Sequence, residues 1–513
     1  MRRAFLTVAS VAWLAAVLRV LTADIDWLLG VVPDDTFYYL LIARNLAHTG
    51  RSTFDGVSAT NGYHPLWMAV LVPLAGWLPV GVPLLRVALA MAFACQAATA
   101  ALILRGLRPL VGDDWAYVAA GCWLINPLAF SIALTATEGA LYAAVLMVVF
   151  LAHQALRRDA QARRAGSWKR LLPFAFALGV LCLTRTDGII VATLSLMWLV
   201  VSGTAGRAAI RDRIEPVAIT AAIVGLCIVP WWLFSLVQVG SVTQDSGAMK
   251  MLWAADALPN YADRLANLNR TLDFFGRRSL SLTMVWHFSW WTFALCATGL
   301  VVMLIGVVRH WRCEQAAALR SVLVPALVLT LVYGFVLVER QVWWLALPGL
   351  ALMLTMFIAG PTVLRLTRPR GRGETAALSA VMVCALAVFG RWHVKGYTPY
   401  PWQPDVRRSQ LAIADIVPAG QSIGCFNAGI PAFFGPRRVV ALDGLVSHQA
   451  RQAWETQTLD DFIRQRDLHF VADEERIMAK AQRFMHTRLE LEVVGSYPLR
   501  GWPTGARLLW RLR

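Results

Sequence analysis

Apolar residues in this 513-residue chain gather into long blocks separated by short basic or turn-rich connectors. Blocks that read as helical spans fall at about 4–22, 83–104, 115–135, 139–156, 171–184, 188–203, 216–237, 286–308, 321–338, 342–364 and 375–391. About 20 apolar residues cross a hydrocarbon core of roughly 30 Å as a helix, whereas a barrel strand needs only about ten. The pattern therefore predicts a polytopic α-helical membrane protein with about 11 transmembrane helices. The blocks around Arg185 and around Arg340 are short, and are expected to be partial spans that dip in from one side.

From about Arg391 the pattern changes: charges become dense, and strand-like pieces alternate with helical ones. Strands are predicted at 422–426, 438–442, 469–472, 491–494 and 507–512, giving a small C-terminal α/β domain. The chain thus divides into a membrane module, 1–391, and an outer domain, 392–513. Two connectors of the module are long, 23–82 and 238–285. The first contains a proline-punctuated, uncharged block from Gly56 to Leu85. It reads as interfacial helices, because as a span it would move every later connector to the other side of the membrane.

Composition agrees with this class. The chain is 58% hydrophobic and only 15% charged, where a soluble domain carries about a quarter charged residues. A net charge of +17 would suggest nucleic acid for a soluble protein, but here the basic residues follow the bilayer. With the N-terminus inside, the inner connectors hold twenty Lys and Arg residues, against nine in the outer connectors before the tail. The positive-inside rule then places the N-terminus in the cytoplasm and the C-terminal domain outside the plasma (inner) membrane. Met1-Arg2-Arg3 before an apolar run also resembles a signal peptide with Ala23 at its cleavage edge. The eight cysteines include no CxxC pair and fall mostly in apolar blocks, so no disulfide framework or zinc site is implied.

The chemistry-bearing residues cluster on the expected outer side. Asp34 and Asp35 stand in PDDTFYYLLIARNLAHTG, a stretch with helical apolar spacing that ends at Gly50. One reading makes Asp34 the helix cap and Asp35 a complement to its dipole. A cap needs only one acid, however, and two adjacent carboxylates at a membrane surface repel, which suits one of them to general-base work. Glu138 in LTATEGALY and Arg185 with Asp187 in CLTRTDGII lie between apolar blocks, where charge is costly. Arg185 and Asp187 also read as a mutual ion pair, and Glu138 as a helix N-terminal acid. Lys250 in QDSGAMKM either snorkels or joins Arg185 as a cationic site suited to phosphate. Tyr63 and His64 in TNGYHPLW read as loop anchors within reach of a polar substrate. Trp231-Trp232, Trp290-Trp291 and Trp343-Trp344 read as interfacial belts, Arg340 as a partner of Glu339, and the sequon Asn269-Arg270-Thr271 as chance.

The pair in PDDTFYYLLIARNLAHTG, followed by TNGYHPLW, TATEG, LTRTDG and PWW in that order, resembles the GT-C superfamily of integral membrane glycosyltransferases, in particular aminoarabinose transferases and protein mannosyltransferases. The segment CFNAGIPAFFGPRRVVALDGLV resembles the outer domain of bacterial members. The resemblance implies a GT-C fold, a polyprenyl-phosphate-linked sugar donor, an extracytoplasmic glycan, lipid or protein acceptor, and an inverting displacement. It maps the catalytic base or acceptor-orienting acid onto Asp34 with Asp35 in support, and the lipid-phosphate contact onto Arg185 with Lys250 beside it. Glu138, Asp187, His64 and Tyr63 are then expected to bind substrate. No cofactor is expected, and no metal, although oligosaccharyltransferase relatives use a divalent ion. The alternative class is a transporter or flippase for a lipid-linked or anionic substrate, which would favour inverted repeats that the sequence does not display.

Overall fold

The computed structural model describes residues 2–79, 81–161, 168–202, 210–279, 314–367, 372–501 and 505–513. The expected span at 286–308 and the Trp290-Trp291 pair lie outside the described residues.

Seven described helices are long and apolar enough to cross a membrane: Arg2–Thr22, Val82–Val111, Gly139–Arg158, Ile214–Val239, Ala317–Val336, Val342–Pro361 and Gly373–Lys395. The expected span at 115–135 is instead a pair, Asp113–Leu124 and Pro127–Leu134, bent by 44°. The break has a local cause. Asn126 caps the second helix by accepting the N–H groups of Leu128 (2.8 Å) and Ala129 (3.3 Å), and Pro127 fills the first turn, where no N–H is needed. Counting the pair as one span gives up to eight among the described residues; the eleven expected include 286–308, which lies outside them. Two of the missing spans are the short helices Trp168–Thr184 and Gly188–Ser202, which meet at Arg185-Thr186-Asp187. A glycine is required at that junction, because a Cβ on Gly188 would lie 2.7 Å from the Leu181 carbonyl oxygen. The Gly56 to Leu85 block forms Pro65–Trp77, a 13-residue helix too short to span.

The C-terminal region holds a five-stranded sheet, β1 (Ile423–Cys425), β2 (Val439–Ala441), β3 (Phe470–Asp473), β4 (Leu491–Pro498) and β5 (Ala506–Leu512), in the order β2-β1-β3-β5-β4. The first three are parallel and β5 is antiparallel to both β3 and β4. Each of the five strands expected from sequence is present.

This sheet does not stand apart from the membrane part. Helix Gln403–Ile416 packs on Ile25–Val31, and the short helix Gly429–Phe434 packs on Asp34–Thr49. Phe37 lies 5.1 Å from the Phe433 ring and 5.5 Å from the Phe434 ring. One apolar core therefore runs from the spans into one face of the sheet, while Met249, Trp454, Phe462 and Trp510 form a second core on the other.

Candidate active site

Helix Asp34–Thr49 lies between the spans and the sheet and is buried on most of its first three turns. Its first two residues are put to different uses. Asp34 does not cap its own helix, whose N-cap is Pro33 with no side-chain bond. Its carboxylate reaches into the C-terminal region and accepts backbone N–H bonds from Gly429 (3.0 Å) and Ile430 (2.7 Å), at the start of helix Gly429–Phe434. Burial pushes Asp34 up to about 6, a rise that these two bonds moderate. Tyr38, one turn on, makes a second tie: its hydroxyl donates to Asp443 (2.8 Å) and accepts the N–H of Ala428 (3.0 Å). Burial, with the nearby acids, raises Asp443 to about 8.

Asp35 faces the other way. It is half-buried at the wall of a cavity of about 330 Å³, and its carboxylate takes part in no hydrogen bond among the described residues. Burial raises it to about 7; the charge of Lys250 opposes the rise, and Glu339, Asp34 and Glu138 add to it.

The same cavity is lined by Tyr63, His64, Glu138, Arg185, Asp187 and Lys250, so the structure brings together every site residue expected from sequence except Asp34, which borders a neighbouring cavity with Asp35. Glu138 is delivered by a turn in which Ala136 has φ +47°, a conformation costing a non-glycine residue of order 1 kcal/mol or more. The turn is held by Thr36, which donates to the Thr135 carbonyl (2.5 Å), and by the Trp67 indole, which donates to that of Ala136 (3.1 Å).

Arg185 is enclosed. Its guanidinium donates to Glu138 (2.5 Å), to Asp187 through Nε (3.0 Å) and Nη2 (2.9 Å), and to the Tyr333 hydroxyl (3.2 Å), which itself donates to Asp187. At 5% exposure, flanked by two carboxylates, it has its charge more than matched. The Arg185–Asp187 ion pair is thus present, and it extends to Glu138. Tyr39 also donates to Glu138 (3.0 Å), and His64 Nε2 lies 3.6 Å from it. Burial lowers His64 to about 4, so at neutral pH the imidazole is uncharged.

Lys250 is the lining cation with the looser surroundings. Its Nζ lies 3.9 Å from Glu339 and 5.2 Å from the Trp344 ring centre. It stands in the first turns of helix Asp245–Ala257, whose residues Ser246 and Gly247 also line the cavity. A helix N-terminus beside a lysine is a favourable environment for an anion. The helix is fixed from both sides by fully buried Asp245, which accepts from Arg451 (2.8 Å), pairs with His448 (2.8 Å) and accepts the Asn61 N–H (3.3 Å).

Two expectations are corrected here. Glu339 pairs with Lys250, while Arg340 donates to Asn267 (2.5 Å). Trp343 and Trp344 are 5% and 4% exposed and line the cavity instead of forming an interfacial belt. Tyr63 packs against Trp231 (5.3 Å) with its hydroxyl on Ser52 (2.8 Å), contacts that hold its loop. Sequence reasoning missed Tyr38, Tyr39, Tyr333, Glu339 and Asp443. The adjacent tyrosines carried a signal, since two phenols one turn into a helix that opens with two acids are unusual cargo for a purely apolar face.

No protein-family model matches the chain, and no curated protein sequence matches it. Among solved structures, the chain is similar to ArnT from Cupriavidus metallidurans bound to undecaprenyl phosphate, at 13% identity and a TM-score of 0.58, over 98% of this chain and 97% of that one. It is also similar to the archaeal oligosaccharyltransferase AglB from Archaeoglobus fulgidus in complex with an inhibitory peptide and a dolichol-phosphate, at 12% identity and a TM-score of 0.55, over 94% of this chain and 70% of that one. Both are GT-C glycosyltransferases, and the chain has their fold: a polytopic helical membrane part with a small C-terminal sheet.

Proposed function

We propose that the protein is a membrane glycosyltransferase that moves a sugar from a polyprenyl-phosphate donor to an acceptor hydroxyl on the extracytoplasmic side, in the plasma (inner) membrane with its N-terminus in the cytoplasm. The observation that carries this reading is the opposition, in one cavity, of the unbonded Asp35 carboxylate and the Lys250 ammonium at a helix N-terminus. The fold shared with proteins captured with undecaprenyl phosphate and dolichol-phosphate supports the donor class.

In this reading Asp35 takes the acceptor proton and the acceptor oxygen attacks the anomeric carbon. The bond from that carbon to the phosphate oxygen breaks, and its electron pair leaves with the polyprenyl phosphate. Lys250 and the N–H groups at the start of helix Asp245–Ala257 stabilise the departing charge. The resemblance gave the base to Asp34, but both Asp34 oxygens are engaged by Gly429 and Ile430, so we give it to Asp35 and make Asp34 the tie that holds the C-terminal region over the cavity. Arg185 keeps Glu138 and Asp187 in place to bind the sugar, with neutral His64 beside them. The step as drawn uses no cofactor or metal.

The test is release of polyprenyl phosphate from a labelled polyprenyl-phosphate sugar by the full-length protein in lipid nanodiscs, with and without chelator. Saturable release lost in Asp35→Asn and Lys250→Met supports the reading. Donor that is neither bound nor turned over by the folded wild-type protein rejects it.

A further inference from the structure

Asp35 and Trp343 line two cavities, not one. Behind the first lies a second of about 150 Å³, bounded by Asp34 and Asp35 on one side and by the C-terminal region on the other. Its walls combine an aromatic pair, Tyr400 and Trp402 set edge to face at 5.9 Å, with the polar groups of Gln403, Asn427 and Glu474. The space is smaller than a whole-ligand pocket, but it lies at a boundary between two parts of the fold, where ligand sites are common. Since a general base must reach the acceptor hydroxyl, and that hydroxyl's oxygen must reach the donor carbon, the carboxylate shared by the two cavities is the place where their occupants would meet.

The charges restrict that occupant. Asp34, Asp35, Asp473 and Glu474 border this space, and Arg507 is the one lining cation among the described residues. Arg507 is 3% exposed, and its guanidinium is directed to Ser409 (3.1 Å), Gln410 (3.1 Å), Cys425 (3.3 Å) and the Ala472 carbonyl (3.2 Å). An anionic group entering would meet acids without an open cation; Asp34 and Asp473 already accept N–H groups, so a hydroxyl would donate to the Asp35 carboxylate, and a sugar ring could lay its C–H face on an indole.

We infer that this second cavity is the acceptor subsite, and that it takes an uncharged, polyhydroxylated acceptor, a glycan end in preference to a phosphorylated one. The inference rests on the proposed transferase reading but is tested without turnover. Full-length protein in nanodiscs, with the first cavity saturated by polyprenyl phosphate, is examined by saturation-transfer NMR against neutral disaccharides and against the same disaccharides carrying a phosphate. Val406 also lines this cavity, so a larger side chain there would fill it; neutral probes should show transfer that Trp402→Ala and Val406→Trp each reduce at least fivefold, with the phosphorylated probes at least tenfold weaker. Equal signals from both probe types, no signal from any neutral probe, or neutral signals unchanged in both variants would overturn it. Failure of donor turnover with binding intact would instead count against the transferase reading alone.

Discussion

The Asp34 carboxylate accepts the backbone N–H of Gly429, 395 positions further along the chain, at 3.0 Å. Through this bond and its companion to Ile430, helix Asp34–Thr49 is joined to the N-terminus of helix Gly429–Phe434 in the C-terminal region, where negative charge is favoured. Replacing Asp34 by Ala leaves two buried N–H groups without acceptors, at a cost of about 1–3 kcal/mol each. The C-terminal region of Asp34→Ala should melt earlier and be cut faster by protease, read by thermal unfolding and limited proteolysis in nanodiscs. Unchanged protection would show that the tie is dispensable.

Gly429 tests the same contact from its other partner. A Cβ there would fall 2.9 Å from Asp34 Oδ1 and against the Asp34 carbonyl oxygen. Gly429→Ala should therefore loosen the C-terminal region as Asp34→Ala does, and the double variant should cost little more than either single one, because both remove one junction. Additive losses would mean that the two residues stabilise separate contacts.

Arg185 and Lys250 should part company on mutation. Arg185→Gln leaves Glu138 and Asp187 buried without a counter-charge, a change worth about 3–5 kcal/mol, and should reduce the yield of folded protein. Lys250→Met leaves only half-exposed Glu339 without its partner and should fold. Its affinity for polyprenyl phosphate should fall by about tenfold or more, as expected for a lost charge-assisted bond of roughly 1.5–3 kcal/mol. Binding measured by competition with a fluorescent polyprenyl phosphate separates the two. Normal affinity in Lys250→Met with lost affinity in folded Arg185→Lys would return the phosphate to Arg185.

The pH dependence carries a sign. Asp34, Asp35 and Asp443 are raised to about 6, 7 and 8, so the folded protein holds their protons more tightly than the unfolded chain does. Their contribution to stability is greatest near pH 4 and is lost as pH rises through about 8. Activity runs the other way: a base must be ionised, so turnover should rise through about pH 7 and level off above it. A melting temperature that climbs from pH 5 to 8, or a rate flat across that range, would contradict these assignments.

Much of the fold was legible because spans and strands announce themselves by period. The five short strands were found from β-branched runs between turn residues, and the cavity residues from charges stranded between apolar blocks. Span shape was less so: the break at Arg185-Thr186-Asp187 was legible from its charges, whereas the bend that Asn126-Pro127 puts into 115–135 was not, because that run's apolar content looks continuous. The division of labour between Asp34 and Asp35 was also hidden, since the partners that distinguish them, Gly429 and Ile430 against Lys250, lie hundreds of residues away. For the same reason the sequence suggested Arg185 as a phosphate ligand without showing that Glu138 closes its other side.

The central claim is that Asp35, and not Asp34, is the base. It is tested most directly by single-turnover sugar transfer from a labelled polyprenyl-phosphate donor, comparing Asp35→Asn with Asp34→Asn in folded, nanodisc-embedded protein. The account predicts a loss of about 10²- to 10⁴-fold for Asp35→Asn with donor binding intact, and a loss below tenfold for folded Asp34→Asn. Wild-type transfer by Asp35→Asn, together with abolished transfer by folded Asp34→Asn, would contradict it.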